Sequence, residues 1–252
     1  MARKNKPFLY METHAGAGRY DLRGEDAQRA GLEWQNGVGR LWGREANGLL
    51  APYLRILASL NPRGHLRDYP GSPLIARSLL RPQDRLVLLE ARLAEAQQLD
   101  AELAEDPRAQ VRVGDGYAAL QAWLPPPERR GMVLIDPPFE RNDEFRQIHE
   151  GLQTIHRRFA TATVAIWYPL KDRGAVTRFY KSLEKSGLRR LLVAELAVLP
   201  EDVVGRLYGS GLVVHNPPWQ LDIQLQQLLT EIQPLLALAP GGGSWVRWLV
   251  PE

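Results

Sequence analysis

Asp136-Pro-Pro-Phe139 closes an apolar run at residues 131–136 (GMVLID) that reads as a buried strand. Each proline fixes its own φ and gives up an N–H, so the backbone after the strand is stiff. A carboxylate (Asp136), a carbonyl (Pro137) and an aromatic face (Phe139) are thereby held at set separations. A planar base with an exocyclic amine suits that set. The amine donates to the Asp136 carboxylate and the Pro137 carbonyl, and Phe139 stacks on the ring. Those hydrogen bonds draw the nitrogen lone pair out of conjugation and aim it at a methyl group. A rigid strand-end turn is the plain alternative.

Three further clusters fall at the ends of earlier strands. Glu12-Thr-His-Ala-Gly-Ala-Gly18 follows an apolar run at residues 7–13. Gly16 and Gly18 would let the backbone approach a ligand at the binding edge of an α/β sheet, with His14 beside it. No Gly-Lys-Ser/Thr follows, so this is no P-loop, and no third glycine completes a dinucleotide fingerprint. Glu90 ends a second strand at residues 85–90, where an acid accepts from ribose hydroxyls. Asp115-Gly116 ends a third at residues 111–115 and could bracket an adenine ring. Singly, a tight turn, a solvated acid at a helix start and a simple turn explain them. On three successive strand tips they favour an adenosine-containing cofactor.

Asn216-Pro-Pro-Trp219 repeats the shape of residues 136–139 after a late strand at residues 211–215. Chain order separates the two. A base-binding motif should end the fourth strand, beside the first, so residues 216–219 are expected to be a structural turn into the last helix.

These tips need a scaffold. Further strands are expected at residues 161–169 and 188–199, and helices at 91–103, 117–124, 143–159, 174–186 and 219–238. Strands alternating with helices predict a mainly parallel, doubly wound α/β sheet. Only a loop separates residues 199 and 211, which predicts a C-terminal hairpin. Residues 20–69 fill a crossover where one helix would do. Residues 30–60 look helical, so this stretch reads as an inserted helical subdomain within a single domain spanning 1–252. Ser72 is expected as the N-cap of the next helix, with Pro73 at its first position.

Composition sets the outer bounds. The chain has 252 residues, 44% hydrophobic and 24% charged, enough for a sizeable core and against wholesale disorder. It has no cysteine, which excludes disulfides, zinc–thiolate sites and thiol nucleophiles. The five histidines show no metal-ligand spacing, and no Gly-x-Ser-x-Gly is present. No apolar run approaches the roughly 20 residues of a membrane span, and the N-terminus lacks a signal-peptide core, so a soluble cytoplasmic protein is expected, with neither membrane nor metal. The net charge of +3 decides little. Residues 156–190 are more telling, with nine Lys or Arg against Asp172 and Glu184. Phosphate contact and a solvated helical face both explain such a segment.

The sequence resembles the bacterial RlmJ family. The motifs that carry the resemblance are ETHAGAGRY at 12–20, YPGSPLIA at 69–76, LIDPPF at 134–139, IWYP at 166–169, ELAVLP at 195–200, GSGLVVHNPPW at 209–219 and SWVRWLVPE at 244–252. They occur in the family's order and cover nearly the whole chain. The resemblance implies a Rossmann-like class I S-adenosylmethionine-dependent methyltransferase sheet with a small helical insertion. It implies methyl transfer from S-adenosyl-L-methionine to the exocyclic N6 of an adenine in 23S ribosomal RNA, protein-free or in an assembly intermediate. His14, Ser72, Glu90, Asp115 and Gly116 match cofactor contacts, and Asp136 matches the catalytic aspartate. Phe139 stands where the family usually has Tyr, keeping the ring and losing a hydroxyl. The family also carries a longer segment before its first strand, which covers the cofactor; here only residues 1–6 precede Pro7. A form without that cover is expected to fold but turn over poorly. The rivals are an RNA-binding remnant without activity and a small-molecule methyltransferase, disfavoured respectively by Asp136 and by the basic segment.

Overall fold

The first apolar run becomes β1 (Leu9–Glu12), with all four residues buried. In the computed structural model, which describes residues 5–31, 33–201 and 206–252, β1 lies inside an eight-stranded sheet. It pairs in parallel with β4 (Arg85–Glu90) on one side and β6 (Gly131–Ile135) on the other. Parallel strands β5 (Ala109–Val113) and β7 (Thr163–Leu170) extend the sheet beyond β4 and β6. β8 (Leu191–Ala197) and β9 (Gly209–His215) form the expected antiparallel hairpin, with β9 against β7. The strand order is β10-β8-β9-β7-β6-β1-β4-β5, the Rossmann-like arrangement expected of a class I methyltransferase sheet. Its edge strand β10 (Gly243–Val250), antiparallel to β8, was not among the expected elements. Its residues are half-buried or exposed, so no clean apolar alternation marks it.

Strands buried on both faces need apolar residues at every position, which is why β4 and β7 read as runs. The two faces carry separate cores. Leu9, Met11, Val133, Ile135 and Ile166 pack with α5 (Gly116–Trp123), α6 (Glu144–Arg158) and α7 (Arg173–Glu184). Phe8, Tyr10, Leu86 and Leu88 pack with α3 (Ser72–Leu79) and α4 (Leu93–Glu102). The period-2 alternation along β1 assigns each side chain to its face.

Residues 30–60 are not one helix. Short 3-10 turns at Glu33–Asn36, Val38–Arg40 and Gly48–Leu50 precede α2 (Ala51–Leu60). Gly31 and Gly43 adopt positive φ and break the helical periodicity between these pieces, and the turn that begins at Gly48 runs on into α2. A short helix, α1 (Glu25–Arg29), precedes these turns. Two short strands, β2 (Arg19–Asp21) and β3 (Asp68–Pro70), pair antiparallel and close the segment at its neck. Leu22, Leu57 and Leu66 form its own small core. Leu41, Leu50 and Leu54 pack outward on Leu228, Ile232 and Leu235 of α8 (Leu221–Leu236), tying it to the far half of the chain.

Ser72 is not the cap of α3. Gly71 holds that place, with its N–H donating to the Gly18 carbonyl at 2.7 Å. The strand neck comes so close that a Cβ on Gly71 would lie 3.1 Å from that carbonyl oxygen. The helix therefore starts one residue early, at Ser72, and the Ser72 hydroxyl is given to Glu12 instead, at 2.9 Å.

Candidate active site

Strands β1, β4, β5, β6 and β7 run in one direction, so their carboxyl ends meet at one sheet edge. A cleft of about 920 Å³ opens there. His14, Gly16, Ser72, Glu90, Asp115, Gly116, Asp136 and Pro137 all line it, although up to 122 positions separate them in sequence. Gly18 and Phe139 stand behind the wall. Strand β9 runs the other way, which carries Asn216 to the opposite edge, beside the start of β7. Its amide donates to the Ala160 and Ala162 carbonyls at 2.7 and 3.0 Å. Residues 216–219 are thus remote from the cleft.

The floor is built by backbone N–H groups held on carboxylates. Glu90 accepts from Gly16 N at 2.8 Å and from Arg92 N at 2.9 Å. Asp115 caps α5, accepting from Tyr117 N at 2.8 Å and Ala118 N at 3.2 Å. Each carboxylate keeps lone pairs for further donors. Gly16 has φ +62°, and a Cβ there would meet the Tyr20 hydroxyl at 2.2 Å. A Cβ on Gly116 would lie 2.0 Å from the Thr13 carbonyl oxygen, so β1 and α5 converge here only because that residue has no side chain. Gly18 serves packing: a Cβ would sit 2.6 Å from Leu99. His14 hydrogen-bonds Thr13 Oγ1 through Nδ1 at 2.8 Å and meets the Tyr117 ring edge-on at 5.2 Å. Burial pulls its pKa below the ordinary 6.5, which favours the neutral ring.

On the opposite wall, burial pushes the Asp136 carboxyl up to about 6. Pro137 is buried and Pro138 exposed, so the loop turns out of the sheet between them. Phe139 sits at φ +52°, a conformation costly for a bulky residue. Its ring packs edge-on against Phe145 at 5.3 Å and Trp167 at 5.9 Å. Trp167, on β7, is the aromatic side chain that lines the cleft beside Asp136 and Pro137. Trp167, and not Phe139, is thus the ring that lines the cleft next to Asp136, and Phe139 packs behind it.

Other residues in the cleft and beneath it carry little signal in the sequence. Tyr20 and Tyr69, paired across β2 and β3, supply a wall from the inserted segment. Glu12 is fully buried at the tip of β1, accepting from the hydroxyls of Tyr10 at 2.6 Å and Ser72 at 2.9 Å. Desolvation pushes its carboxyl up to about 8, with the nearby Asp136 charge acting in the same direction. An acid ending an otherwise apolar strand was the available signal. The basic segment divides between edges. Lys171 and Arg173 follow the carboxyl end of β7, whereas Arg157 and Arg158 end α6, and Arg189 and Arg190 precede β8, at the opposite edge. Among the described residues no group of three or more His, Asp or Glu is placed to hold a metal ion, and no helix is long and apolar enough to cross a membrane.

Comparison with known proteins bears on the whole chain. A family model described as ribosomal RNA large subunit methyltransferase D, RlmJ, matches residues 5–250. The ribosomal RNA large subunit methyltransferase J of Escherichia coli K12 is 43% identical over 250 residues, covering 99% of this chain and 89% of that protein. The Haemophilus influenzae protein of the same name is 41% identical over 252 residues, with the same coverage. A crystal structure of a Legionella pneumophila protein superposes with a TM-score of 0.88 at 28% identity, covering 97% of this chain and 90% of that one. With a family match from end to end and two relatives above 40% identity, the chain belongs to the RlmJ family of ribosomal RNA large subunit methyltransferases.

Proposed function

We propose that this protein transfers a methyl group from S-adenosyl-L-methionine to the exocyclic N6 of an adenine in 23S ribosomal RNA. The observation that carries the reading is the placement of Asp136 and Pro137 in one cleft with Glu90, Asp115 and the glycine loop. The donor set fits the cofactor: backbone at Gly16 and Gly116 that a Cβ would obstruct, and two acids already held by N–H groups. In this reading Glu90 accepts from the ribose hydroxyls, Asp115 and Gly116 flank the adenine, and His14 and Ser72 line the methionine side. The bound cofactor supplies an electrophilic methyl on a sulfonium. The chain supplies position, since a well-oriented pair of reactants needs little further help. Pro137 O and the Asp136 carboxylate each accept an N–H of the base amine, leaving the nitrogen lone pair free to point at the donor. Asp136 is largely ionised at neutral pH, so it stabilises the positive charge that develops on the nitrogen as the methyl arrives and accepts the proton that the amine then gives up. Trp167 stacks the base, backed by Phe139.

A base inside a duplex cannot reach such a pocket, so the target is single-stranded or flipped out. Protein-free RNA, or an early assembly intermediate in the cytoplasm, meets that requirement. We take residues 20–69 as an inserted subdomain of a single methyltransferase domain, contributing Tyr20 and Tyr69 to the cleft. The test is methylation of deproteinised 23S ribosomal RNA followed by nucleoside analysis by mass spectrometry. N6-methyladenosine should form with the wild type and be absent with Asp136→Ala. A methyl group on another atom, or none from a protein that binds the cofactor, would overturn the assignment.

A further inference from the structure

The second Pro-Pro motif lies at the edge of the sheet away from the cleft, and its geometry has a feature a plain turn does not need. Asn216 and Gln220, the residues flanking Pro217-Pro218-Trp219, both take positive φ, +50° and +62°. Two left-handed non-glycine residues around two prolines make a stiff and costly backbone. That backbone is anchored: the Asn216 amide donates to two carbonyls, its N–H to Arg190 O, and Arg190 reaches Pro217 O at 3.4 Å. It carries Trp219 outward at 77% exposure. A ring that contributes nothing to the core gains nothing from rigid presentation unless something else covers it.

The surroundings indicate the kind of partner. Trp248 is 39% exposed on β10 and donates to Asp222, three positions past Trp219. The exposed Arg157 and Arg158 lie between two residues that touch the turn and its strand, His156 against His215 and Ala160, whose carbonyl accepts from Asn216, with Arg158 also donating to Leu124 O at 2.7 Å. Arg189 and Arg190 complete it, with Glu252 and Asp222 as its acids. Exposed indoles set among arginines match nucleic acid, which offers π-faces and phosphates together, better than they match an apolar protein surface.

We propose that Trp219, presented by the Asn216–Gln220 turn and flanked by Arg157, Arg158, Arg189 and Arg190, is a second RNA contact that stacks an unpaired base remote from the target adenine. This rests on the RNA substrate argued above. The two sites are separated by the length of β7, whose eight residues at roughly 3.3 Å each span about 26 Å. One structured RNA can bridge that distance, since it corresponds to about seven or eight nucleotides stacked at roughly 3.4 Å. Such stacking would orient the substrate without touching the chemistry.

The test measures affinity of the full chain for deproteinised 23S ribosomal RNA, comparing wild type, Trp219→Ala and Trp219→Phe. Loss of one stacked base should weaken binding about tenfold in Trp219→Ala. Trp219→Phe should recover most of it, and S-adenosylmethionine affinity by calorimetry and the thermal midpoint should not move. Arg157→Glu should lower the slope of log affinity against log salt by about 0.7 for each single-strand phosphate it no longer neutralises. Unchanged affinity in Trp219→Ala overturns the proposal. So does a wild-type dimer in light scattering that Trp219→Ala dissociates while RNA affinity stays constant, which would make this face a self-association surface. A wild type that binds RNA and loses that binding in Trp219→Ala, yet makes no N6-methyladenosine, would sink the catalytic assignment and leave this second site standing. A wild type that binds no RNA overturns both.

Discussion

Replacing Glu12 with Gln isolates the least expected group in the site. Glu12 sits at 0% exposure, and its carboxyl is pushed from an ordinary 4.5 to about 8. The sign follows from proton counting. Between those two values the unfolded chain has released the proton and the folded chain keeps it, so stability falls as pH rises through that window. At about 1.36 kcal/mol per pH unit, Glu12 costs the fold about 3 kcal/mol at pH 7 and about 5 kcal/mol by pH 9, and almost nothing near pH 4.5. Gln is neutral throughout, and its amide oxygen accepts from one of the two hydroxyls of Tyr10 and Ser72 while its N–H donates to the other. Glu12→Gln should therefore match the wild type near pH 5 and exceed it by several kcal/mol at pH 9. Urea unfolding at pH 5, 7 and 9, followed by fluorescence, measures this, with the midpoint concentration moving and the m-value constant. Parallel stability–pH curves for the two proteins would refute the reasoning. They would mean that Glu12 is ionised in the folded state, held by the two hydroxyls alone.

Asp136→Ala should reduce methyl transfer by at least about 100-fold while leaving cofactor affinity within a few-fold, the pattern of a group that handles the reacting proton. In the wild type, kcat/KM should rise with pH through about 6 and level off, because the carboxylate must be ionised to accept the amine N–H; a flat profile between pH 5 and 7 would remove Asp136 from that role. Glu90→Ala should weaken S-adenosylmethionine binding by about 10- to 100-fold in calorimetry, from hydrogen bonds to a charged acceptor worth about 1.5–3 kcal/mol. Glu90→Gln should fall between, and unchanged affinity in both would take Glu90 out of the site. Gly116→Ala places a Cβ 2.0 Å from the Thr13 carbonyl oxygen, where only backbone could yield. Overpacking of that kind should cost about 1–3 kcal/mol or more, seen as a lower thermal midpoint; an unchanged midpoint would show that the two loops can part freely.

The strand tips were legible because chemistry and period coincide there. An apolar run long enough to be a buried strand ended in Glu90, in Asp115-Gly116 or in Asp136-Pro-Pro, and each of these ends could be placed from local pattern. Chain order alone placed residues 136–139, and not 216–219, beside the first strand. The sheet agrees, with β6 paired to β1 and β9 reversed. The misreadings share a cause. Residues 30–60 have helical periodicity, but glycines at positive φ interrupt it, and whether a glycine is a stop or a passenger depends on packing. Ser72 has the residue type of a cap, yet its hydroxyl serves a carboxylate sixty residues away.

By itself, then, the sequence determined which acids, glycines and prolines end successive strands of a parallel sheet, because side-chain type and strand period are local properties. Only the tertiary structure decided which aromatic ring lines the cleft beside Asp136, that Glu12 is buried beneath Ser72 within reach of the Asp136 charge, and that the basic residues split between two edges of the sheet. Those outcomes depend on the direction of each strand and on the desolvation that neighbouring elements impose. Neither quantity is written in the residues nearby; both arise when distant segments close on one another.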